Sequence, residues 1–427
     1  MSAPLGDPEG DLAQWQARAR EWLRSSAPAR DSAEATGLGS VAVFDNLTFE
    51  QEREQLAAAA AWQRAKLAAG YGAISWPPEF GGAGLAPAYE EAFGREEAQV
   101  VVPRKNELFS VTLELVAPTV AAFGTPAQQQ ELIPRLLAAE LFVCQLFSEP
   151  GAGSDLASLS LRAERRDEGW VLNGQKVWTS GARHAALGEL IARTDPAQAR
   201  HRGLTAFLVP MDAPGVEIRP IRQMSGGSGF NEVFFTDVVV RDGARLGEVG
   251  QGWQVALTTL GFERAASGAG ADQPGGSFAQ VAATARQLGR AGDPLVRQLL
   301  ADLYVRSEVQ RRYAEKMTQQ AGEGAPGAGA PGAGAAAGAA GAAGAPGAEG
   351  SVLKLMWSAN VVQVSAVVTE LLGPRLVADT GEPGLFSWSE HVLGAPGYRI
   401  AGGTEEIQRN IIAERVLGLP RDPRPPV

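Results

Sequence analysis

Cysteine and histidine are scarce in this chain of 427 residues. Cys144 is the only cysteine, and His184, His201 and His391 are the only histidines. An intrachain disulfide is therefore excluded and a zinc site of Cys/His type nearly so, and no metal site is predicted. A Ser-His-Asp hydrolase is not excluded, but no G-x-S-x-G string supports one. The chemistry is expected to come from carboxylates, hydroxyls or a bound cofactor.

Basic charge is also in short supply. The 38 basic residues face 48 acidic ones, which gives a formal net charge of −10. No cluster of Lys and Arg interrupts this balance, so nucleic acid is not expected as a partner. No apolar run reaches the roughly 20 residues that span a bilayer, so no membrane association is expected. Asp7, Glu9 and Asp11 fit neither a signal peptide nor a transit peptide, and a cytoplasmic protein is predicted.

The pattern of apolar residues changes twice along the chain. Residues 11 to about 140 read as helical, with Thr125-Pro126 opening one helix. Between 141 and 246 the period becomes two, and Asn173-Gly174 predicts a hairpin turn inside a sandwich or barrel. Helices return from Gly252. The predicted domains are therefore 1–140, 141–246 and 247–427.

Two C-terminal helices flank a tract of low complexity. Asp293-Pro294 caps the first, and Ser351 to Leu372 forms the second, which Gly373 stops. Residues 321–350 are Ala, Gly and Pro apart from Glu323 and Glu349, which predicts a flexible linker. The G-x-G-x-x-G string within it follows no strand, so a Rossmann site is rejected. The predicted apolar stripe of the first helix consists of Leu295, Leu299, Leu300, Leu303 and Tyr304.

Two strings in the β region could bind a cofactor. Ser148 to Asp155 holds small residues and a proline, and its backbone N–H groups could bind a polar heterocycle. The alternative is an ordinary turn capped by Asp155. Lys176 to Gly181 places Trp178 beside two hydroxyls, which could stack on a planar cofactor and bond its edge. Alone, it reads more readily as a core tryptophan.

Two further strings lie in the helical C-terminal region. Gly402-Gly403 precede a helix capped by Thr404, an arrangement that suits a phosphate, although a plain N-cap is the better isolated reading. Gly261-Phe-Glu-Arg264 contains an acid in an apolar helix. The alternative for Glu263 is a solvated side chain paired with Arg264.

Together these strings resemble the acyl-CoA dehydrogenases, in which they occur in this order. The resemblance is strongest to a bacterial branch that ends Gly-Thr-x-Glu-Ile-x-Arg-Asn-Ile-Ile-Ala-Glu-Arg-Val-Leu-Gly-Leu-Pro, here Gly403 to Pro420. It spans about residue 70 to 420 and includes Phe80-Gly81-Gly82 and Gly250-Gln-Gly-Trp253. It implies an α+β fold with an N-terminal helical domain, a central β-barrel and a C-terminal four-helix bundle.

The resemblance also implies FAD as the cofactor and acyl-CoA as the substrate. Many family members carry an Arg-x-x-Phe-Gly string for the FAD pyrophosphate of a neighbouring subunit. None occurs between 280 and 300, and Arg297 is a weak substitute. The implied cofactor residues are Gln145, Phe147, Ser148, Gly153, Ser154, Trp178, Thr179, Ser180, Glu370, Gly373, Thr404 and Glu406. The implied substrate residues are Ser154, Arg264 and Gly403.

The catalytic base departs from the commonest family pattern. Many members supply it as the Glu of a Tyr-Glu-Gly-Thr string, where this chain has Gly402, which cannot abstract a proton. Some relatives supply it from the position of Glu263, which is therefore the predicted base. The implied reaction is α,β-dehydrogenation, with an electron-transfer flavoprotein as acceptor and a homotetramer or heterotetramer as the assembly. The alternatives are an oxidase or monooxygenase of the same fold, or a silent subunit beside an active homologue.

Overall fold

Helices form both ends of the chain and strands form its middle. The structure is a computed structural model that describes residues 12–30, 41–167, 169–198, 200–266, 275–323, 348–382 and 384–421. The predicted α+β class is confirmed by this order of helices, strands and helices.

The N-terminal helices begin at polar caps that the sequence supplies. Thr125 and Gln128 form a capping box, and Pro126 occupies the first helical position, as predicted. Thr48 and Gln51 form the same arrangement. The helices are α1 (Leu12–Ser26), α2 (Phe49–Ala68), α3 (Pro87–Glu97), α4 (Glu107–Ser110), which continues as a π-helical segment (Val111–Val116) and then as α5 (Ala117–Phe123), and α6 (Pro126–Leu137).

The central strands form one mixed sheet. They are β1 (Val143–Leu146), β2 (Arg162–Arg166), β3 (Gly169–Ser180), β4 (Leu187–Arg193), β5 (Leu204–Pro210), β6 (Val216–Ile221), β7 (Phe230–Val240) and β8 (Arg245–Leu246). Their order is β6-β7-β3-β2-β4-β5-β8, and β1 pairs in parallel with β4. The parallel junction of β2 and β4 rests on one pair, Arg162 with Arg193.

The word barrel is too specific for this sheet, because the sheet is not closed. Its end strands, β6 and β8, are not paired with each other in the described part of the chain. The last strand is two residues long and pairs with β5 only at Arg245 and Leu246. A strand this short cannot complete a barrel seam.

The predicted hairpin turn at Asn173-Gly174 is wrong. Strand β3 runs straight through it, with a shift of register against β7 between Leu172 and Gly174. The Asn173 Nδ2 donates to Asp237 Oδ1 (3.0 Å), and the Asp237 N–H donates to Asn173 Oδ1 (2.9 Å). Gly174 has φ 146°, and a Cβ there would lie 2.8 Å from Leu161 Cα. The pair thus forms a β-bulge that allows a close approach of two backbones.

The C-terminal region is again helical. Asp293 Oδ1 accepts from the Leu295 N–H (2.9 Å) at the start of its helix, as predicted. The predicted stripe is only partly buried, because Leu303 lies in the core while Leu295 and Tyr304 are about half exposed. The helices are α7 (Gly252–Ala266), α8 (Phe278–Gln287), α9 (Pro294–Glu323), α10 (Gly350–Leu372), α11 (Ser387–Gly394) and α12 (Glu405–Ile411), which continues as a π-helical segment (Ile412–Val416).

The predicted linker begins later than the composition indicated. Helix α9 extends to Glu323, so residues 321–323 are helical, and α10 already begins at Gly350. Ala and Glu favour helix, which explains the extension into the tract. Residues 324–347 lie outside the described residues.

Helix α10 is the most apolar helix of the chain's described part. With the turn that follows, Gly350–Leu376, it is long and apolar enough to cross a membrane by length and composition, and 44% of its apolar window is buried inside the protein. Val364, Val367 and Val368 pack against α8 and α9 in one cluster. The buried face of the helix is therefore part of the core of the C-terminal region.

One apolar cluster joins all three regions. It brings together Leu115 of the π-helical segment, Ile191 of β4, and Val255 and Phe262 of α7. Helix α7, which carries Glu263, is therefore fixed against both the sheet and the N-terminal helices.

Candidate active site

The Ser148–Asp155 loop is anchored by a buried ion pair. Lys176 is fully buried, and its Nζ donates to Glu149 Oε1 (2.9 Å) and to the Phe147 carbonyl (2.8 Å). Glu149 also accepts from the backbone N–H groups of Ser160 (2.7 Å) and Leu161 (2.9 Å). The alternative of a turn capped by Asp155 is wrong, because that carboxylate is exposed and pairs with Arg200.

Burial and the charge of the partner have opposite effects on the pKa values of Lys176 and Glu149. Burial lowers the pKa of Lys176 to about 8, and the carboxylate of Glu149 opposes that shift. Burial alone would raise the pKa of Glu149, but the charge of Lys176 and the N–H donors lower it overall. Lys176 is therefore a structural residue of this motif.

The anchored loop leaves its tip open. Gly153 and Ser154 are exposed, and a Cβ at Gly153 would meet no atom within 4 Å. The Val177 N–H donates to the Ser148 carbonyl (2.9 Å), which joins this loop to the strand that carries Trp178. The structure thus brings together the two strings that the sequence assigned to a cofactor.

Trp178 is turned outward by a second bulge in β3. The register against β7 shifts between Lys176 and Thr179, and Trp178 adopts φ 64°. Its indole is 59% exposed, which contradicts the alternative of a core tryptophan. A positive φ at a residue other than glycine costs conformational energy, and an exposed indole leaves apolar surface in water. Both features are typical of a binding surface.

Two buried polar side-chain atoms lie on β3 and on the neighbouring strand β1. Thr179 Oγ1 and Gln145 Nε2 are buried and have no hydrogen-bond partner among the described residues. Buried polar groups are normally satisfied, so unpartnered polar atoms on strands in the same part of the sheet as the exposed Trp178 fit a planar ligand with hydrogen-bonding edges. The isoalloxazine of FAD has this character, and the residues therefore fit the implied cofactor.

A row of aromatic rings leads from Trp178 to the C-terminal turn. Trp178 contacts Phe230 (centroids 6.2 Å apart), Phe230 contacts Phe44 (5.4 Å), and Phe44 stacks on Tyr398 (4.8 Å). The Tyr398 carbonyl in turn accepts from Lys354 Nζ (2.8 Å). The site thus extends from the sheet to the turn before α12.

The turn and Glu263 come together at Gly402. Gly402 and Gly403 have φ 64° and 87°, and an ideal Cβ at Gly402 would lie 2.9 Å from Glu263 Oε1. The two positions from which the family supplies its base therefore converge in this chain. Glu263 is half-buried on α7, whereas the side chain of Arg264 lies outside the described residues.

The helix that follows the turn is capped as the sequence predicts. Thr404 accepts from the Ile407 N–H (3.3 Å). Glu405 points inward and forms a two-point ion pair with Arg399 (both 3.0 Å), whereas Glu406 is exposed. Glu406 thus remains accessible to a ligand, as the predicted cofactor role requires.

The predicted adenine-side residues lie apart from the rest. Glu370 lies near the end of α10, about 24 Å along that helix from Lys354 at a rise of about 1.5 Å per residue, and Gly373 caps the helix end. Arg290 donates to the Glu370 carbonyl (2.6 Å), whereas Arg297 is exposed. Within one chain, these residues do not join the Trp178 and Glu263 site.

Sequence reasoning missed a carboxyl beside the predicted flavin residues. Glu107, at the start of α4, interacts with the Ser180 side chain and with Tyr398. Glu107 is exposed to solvent, and partial desolvation raises the pKa of its carboxyl. A single Glu after an Asn cap is common at helix starts, so the sequence did not indicate that Glu107 lies beside the predicted flavin residues.

A second missed carboxyl, Glu189 on β4, is buried beneath α7. The Thr259 hydroxyl donates to Glu189 Oε1 (2.7 Å), and Thr259 Oγ1 lies 3.0 Å from Thr119 Oγ1. Burial raises the pKa of Glu189 to about 8, against the opposing hydrogen bond from Thr259. The carboxyl is therefore largely protonated at pH 7, and its partner Thr259 lies one helical turn before Glu263 on α7.

Glu189→Gln is expected to change how stability depends on pH. The unfolded chain loses the Glu189 proton near its ordinary pKa, while the folded chain keeps it up to about 8. Wild-type stability therefore falls through this window, by up to about 1.4 kcal/mol per pH unit, and the variant lacks this fall. Urea unfolding across the window measures the difference, with exposed Glu79→Gln as the control. Parallel curves for wild type and Glu189→Gln would contradict the buried, protonated state.

Three family models match the chain. They are the N-terminal domain of acyl-CoA dehydrogenase at residues 44–140, its middle domain at 144–238 and its C-terminal domain at 250–417. The chain belongs to the acyl-CoA dehydrogenase family. It is an oxidoreductase of that family, and its cofactor is FAD.

Similar proteins cover almost the whole chain. The acyl-CoA dehydrogenase IpdE1 of Mycobacterium tuberculosis is 37% identical over 414 residues, which are 96% of this chain and 99% of that protein. The Tcur3481-Tcur3483 steroid ACAD is 25% identical with a TM-score of 0.70, covering 98% of this chain and 100% of that one. The ChsE4-ChsE5 complex from Mycobacterium tuberculosis matches with 25% identity, a TM-score of 0.68 and the same coverage.

Proposed function

We propose that the protein desaturates an acyl-CoA thioester between its α and β carbons, with Glu263 as the base. The observation that carries this proposal is the approach of the Glu263 carboxylate to Gly402, within 2.9 Å of an ideal Cβ there. A carboxylate on α7 thus stands where the turn itself has none. The electrons are proposed to pass to an electron-transfer flavoprotein.

The roles of the chain's residues follow from this arrangement. Glu263 removes the weakly acidic α-proton, for which a carboxylate must lie within hydrogen-bond reach of the carbon. When bound, FAD would supply the acceptor for the hydride that leaves the β carbon. The open loop tip at Ser154 and the turn at Gly403 are proposed to hold the thioester, and Arg264 to contact the substrate. The apolar cluster beneath α7 excludes water from the reacting atoms.

The cofactor residues are assigned by the same reasoning. Trp178 is proposed to stack on the isoalloxazine, and Thr179 and Gln145 to bond its edge, because these atoms are otherwise buried without partners among the described residues. The remaining proposed contacts are those of Phe147, Ser148, Gly153, Ser154, Ser180, Thr404 and Glu406. Glu370 and Gly373 are proposed to serve the adenine end, across a subunit boundary.

The acyl group is proposed to be bulky and steroid-derived. The support for this is similarity to a solved structure described as a steroid ACAD, which matches along the full chain. Straight-chain and branched acyl groups are the competing possibilities.

Anaerobic bleaching of bound flavin tests the proposed function. The purified protein should be yellow and release FAD on denaturation, and a steroid-derived acyl-CoA should bleach it faster than straight-chain or branched acyl-CoAs. Recovery of FMN in place of FAD would contradict the cofactor assignment. Lack of bleaching by every acyl-CoA would favour a silent subunit, and rapid oxygen consumption by the reduced protein would favour an oxidase.

The assembly is proposed to be a tetramer, either of one chain or with a homologous partner. Leu295, Tyr304, Val305 and Val309 of α9 are each 49% or more exposed, which is an unusual apolar load for a solvent-facing helix. Two of the similar structures are described by paired chain names. Light scattering should report a species about four times the mass of one chain, and a monomer at micromolar concentration would contradict the proposal.

A further inference from the structure

Lys354 is a buried cation directly behind the Gly402 turn. It lies one turn into α10 and is 2% exposed. Its Nζ donates to the Tyr398 carbonyl (2.8 Å) and to the Gly403 carbonyl (3.0 Å). It thereby connects α10 to the chain on both sides of Gly402.

The aliphatic arm of Lys354 and the Glu263 carboxylate meet at the same place. An ideal Cβ on Gly402 would lie 3.8 Å from Lys354 Cε and 2.9 Å from Glu263 Oε1. Both charged side chains therefore lie within 4 Å of one point, on different helices. The electrostatic interaction between these unlike charges favours the ionised form of each partner.

A second carboxylate that interacts with Lys354, Glu405, is also held by two arginines. Glu405 of α12 interacts with Lys354 but is held by Arg399 at 3.0 Å and by Arg409 at 3.9 Å. Burial lowers the pKa of the Lys354 ammonium, and Glu405 and Glu263 oppose that shift. Arg264, the neighbour of Glu263 on α7, has its side chain outside the described residues.

The turn has a second tether, which carries no charge. The buried Gln408 donates from Nε2 to the Gly402 carbonyl (2.8 Å). Gln408 and Lys354 thus hold adjacent carbonyls of the same turn, one as a neutral amide and one as a cation. This pair allows the mechanical role and the electrostatic role to be separated.

We propose that Lys354 is a positioning residue that ties the Gly402-Gly403 turn to α10 and keeps the Glu263 carboxylate ionised for proton abstraction. The inference rests on the proposed function, because it assigns Lys354 to the proposed base. Lys354 does not touch the reacting carbons; it acts through Glu263 and through the turn.

The pH dependence of flavin reduction tests the electrostatic role. In Lys354→Met and Lys354→Gln, the acidic limb of the anaerobic reduction rate should move to higher pH by about one unit, and rates should approach wild type at about pH 9. Lys354→Gln keeps a donor for the turn, so it carries the test if Lys354→Met folds poorly. Gln408→Leu should lower the rate at every pH and leave the limb in place.

Hydrogen exchange of the holoenzyme tests the tether without measuring activity. Amides between 399 and 411 should exchange faster in Lys354→Met and in Gln408→Leu than in wild type. An unmoved limb in both Lys354 variants, or an equal shift in Gln408→Leu, would overturn the electrostatic role. Unchanged exchange in Lys354→Met would overturn the tether.

Failure of the proposed base has a different signature. If Glu263→Gln reduces flavin at the wild-type rate, the base assignment fails and the electrostatic inference fails with it. If Glu263→Gln is slow while the limb of Lys354→Met stays in place, the proposed function survives and only the inference about Lys354 is overturned.

Discussion

Glu263→Gln is expected to slow anaerobic bleaching of the bound flavin by about 10²-fold or more, the usual cost of removing a general base. Glutamine has nearly the same shape but cannot accept the α-proton. The variant should therefore keep its FAD and still bind acyl-CoA. Stopped-flow absorbance of the flavin measures the rate, and a thermal midpoint equal to wild type shows that the fold is intact.

A matched control and a relocation test sharpen this result. Glu248→Gln, at an exposed position just before α7, should bleach at the wild-type rate. Because a Cβ at Gly402 would point at the Glu263 carboxylate, Glu263→Ala combined with Gly402→Glu should recover part of the lost rate. The recovery will be incomplete, since Gly402 has φ 64° and a side chain there is strained. Wild-type bleaching by Glu263→Gln would instead place the base elsewhere.

Lys176→Met is expected to cost about 3–5 kcal/mol of folding stability, because it leaves Glu149 buried without its counter-charge. The deficit should grow as pH rises through the ordinary pKa of a glutamate. Below that value Glu149 can take up a proton, whereas above it the folded variant must hold a buried, unpaired carboxylate. The loss should also reduce FAD occupancy, since the pair anchors the Ser148–Asp155 loop. Unfolding curves at several pH values and flavin absorbance measure the two effects.

An exposed lysine supplies the control for that experiment. Lys316→Met removes a charge from the outer face of α9 and should leave stability within about 0.5 kcal/mol of wild type. If Lys176→Met were as stable as Lys316→Met, the buried pair would be dispensable. The loop would then owe its shape to the backbone donors of Ser160 and Leu161 alone.

The order of helices and strands could be predicted because it depends on local periodicity. Capping signals such as Thr125-Pro126 act within one helical turn and do not depend on distant residues, so the predicted helix start is confirmed. The hairpin prediction at Asn173-Gly174 was wrong because a local turn signal contains no information about the partner strand. Here Asn173 is hydrogen-bonded to Asp237 of β7, and the pair forms a bulge within a continuous strand. The prediction of a closed barrel was too specific for the same reason, because closure depends on the length and pairing of β8.

The parts of the candidate site that consist of consecutive residues could be predicted from the sequence. The parts that depend on contacts between distant residues could not. The recurring order of the motifs identified the loop, the Trp178 strand and the turn. Lys354, Glu107 and Glu189 were missed because each is a single charged residue in an unremarkable helix or strand. Their roles arise from partners that lie tens to hundreds of residues away, as with Lys354 and Gly403.

The π-helical segment Val111–Val116 sets the rotational phase between the two halves of one long helix. Each residue of an α-helix advances the helix by about 100°, so deleting one residue here would turn Glu107 by that angle relative to Thr119. Glu107 would then leave Ser180, or Thr119 would leave Thr259. Because of the π-helical turn, the first half of the helix places Glu107 at Ser180, beside the proposed cofactor residues, and the second half places Thr119 against Thr259 of α7. An α-helical relative of the same length could keep only one of these two alignments.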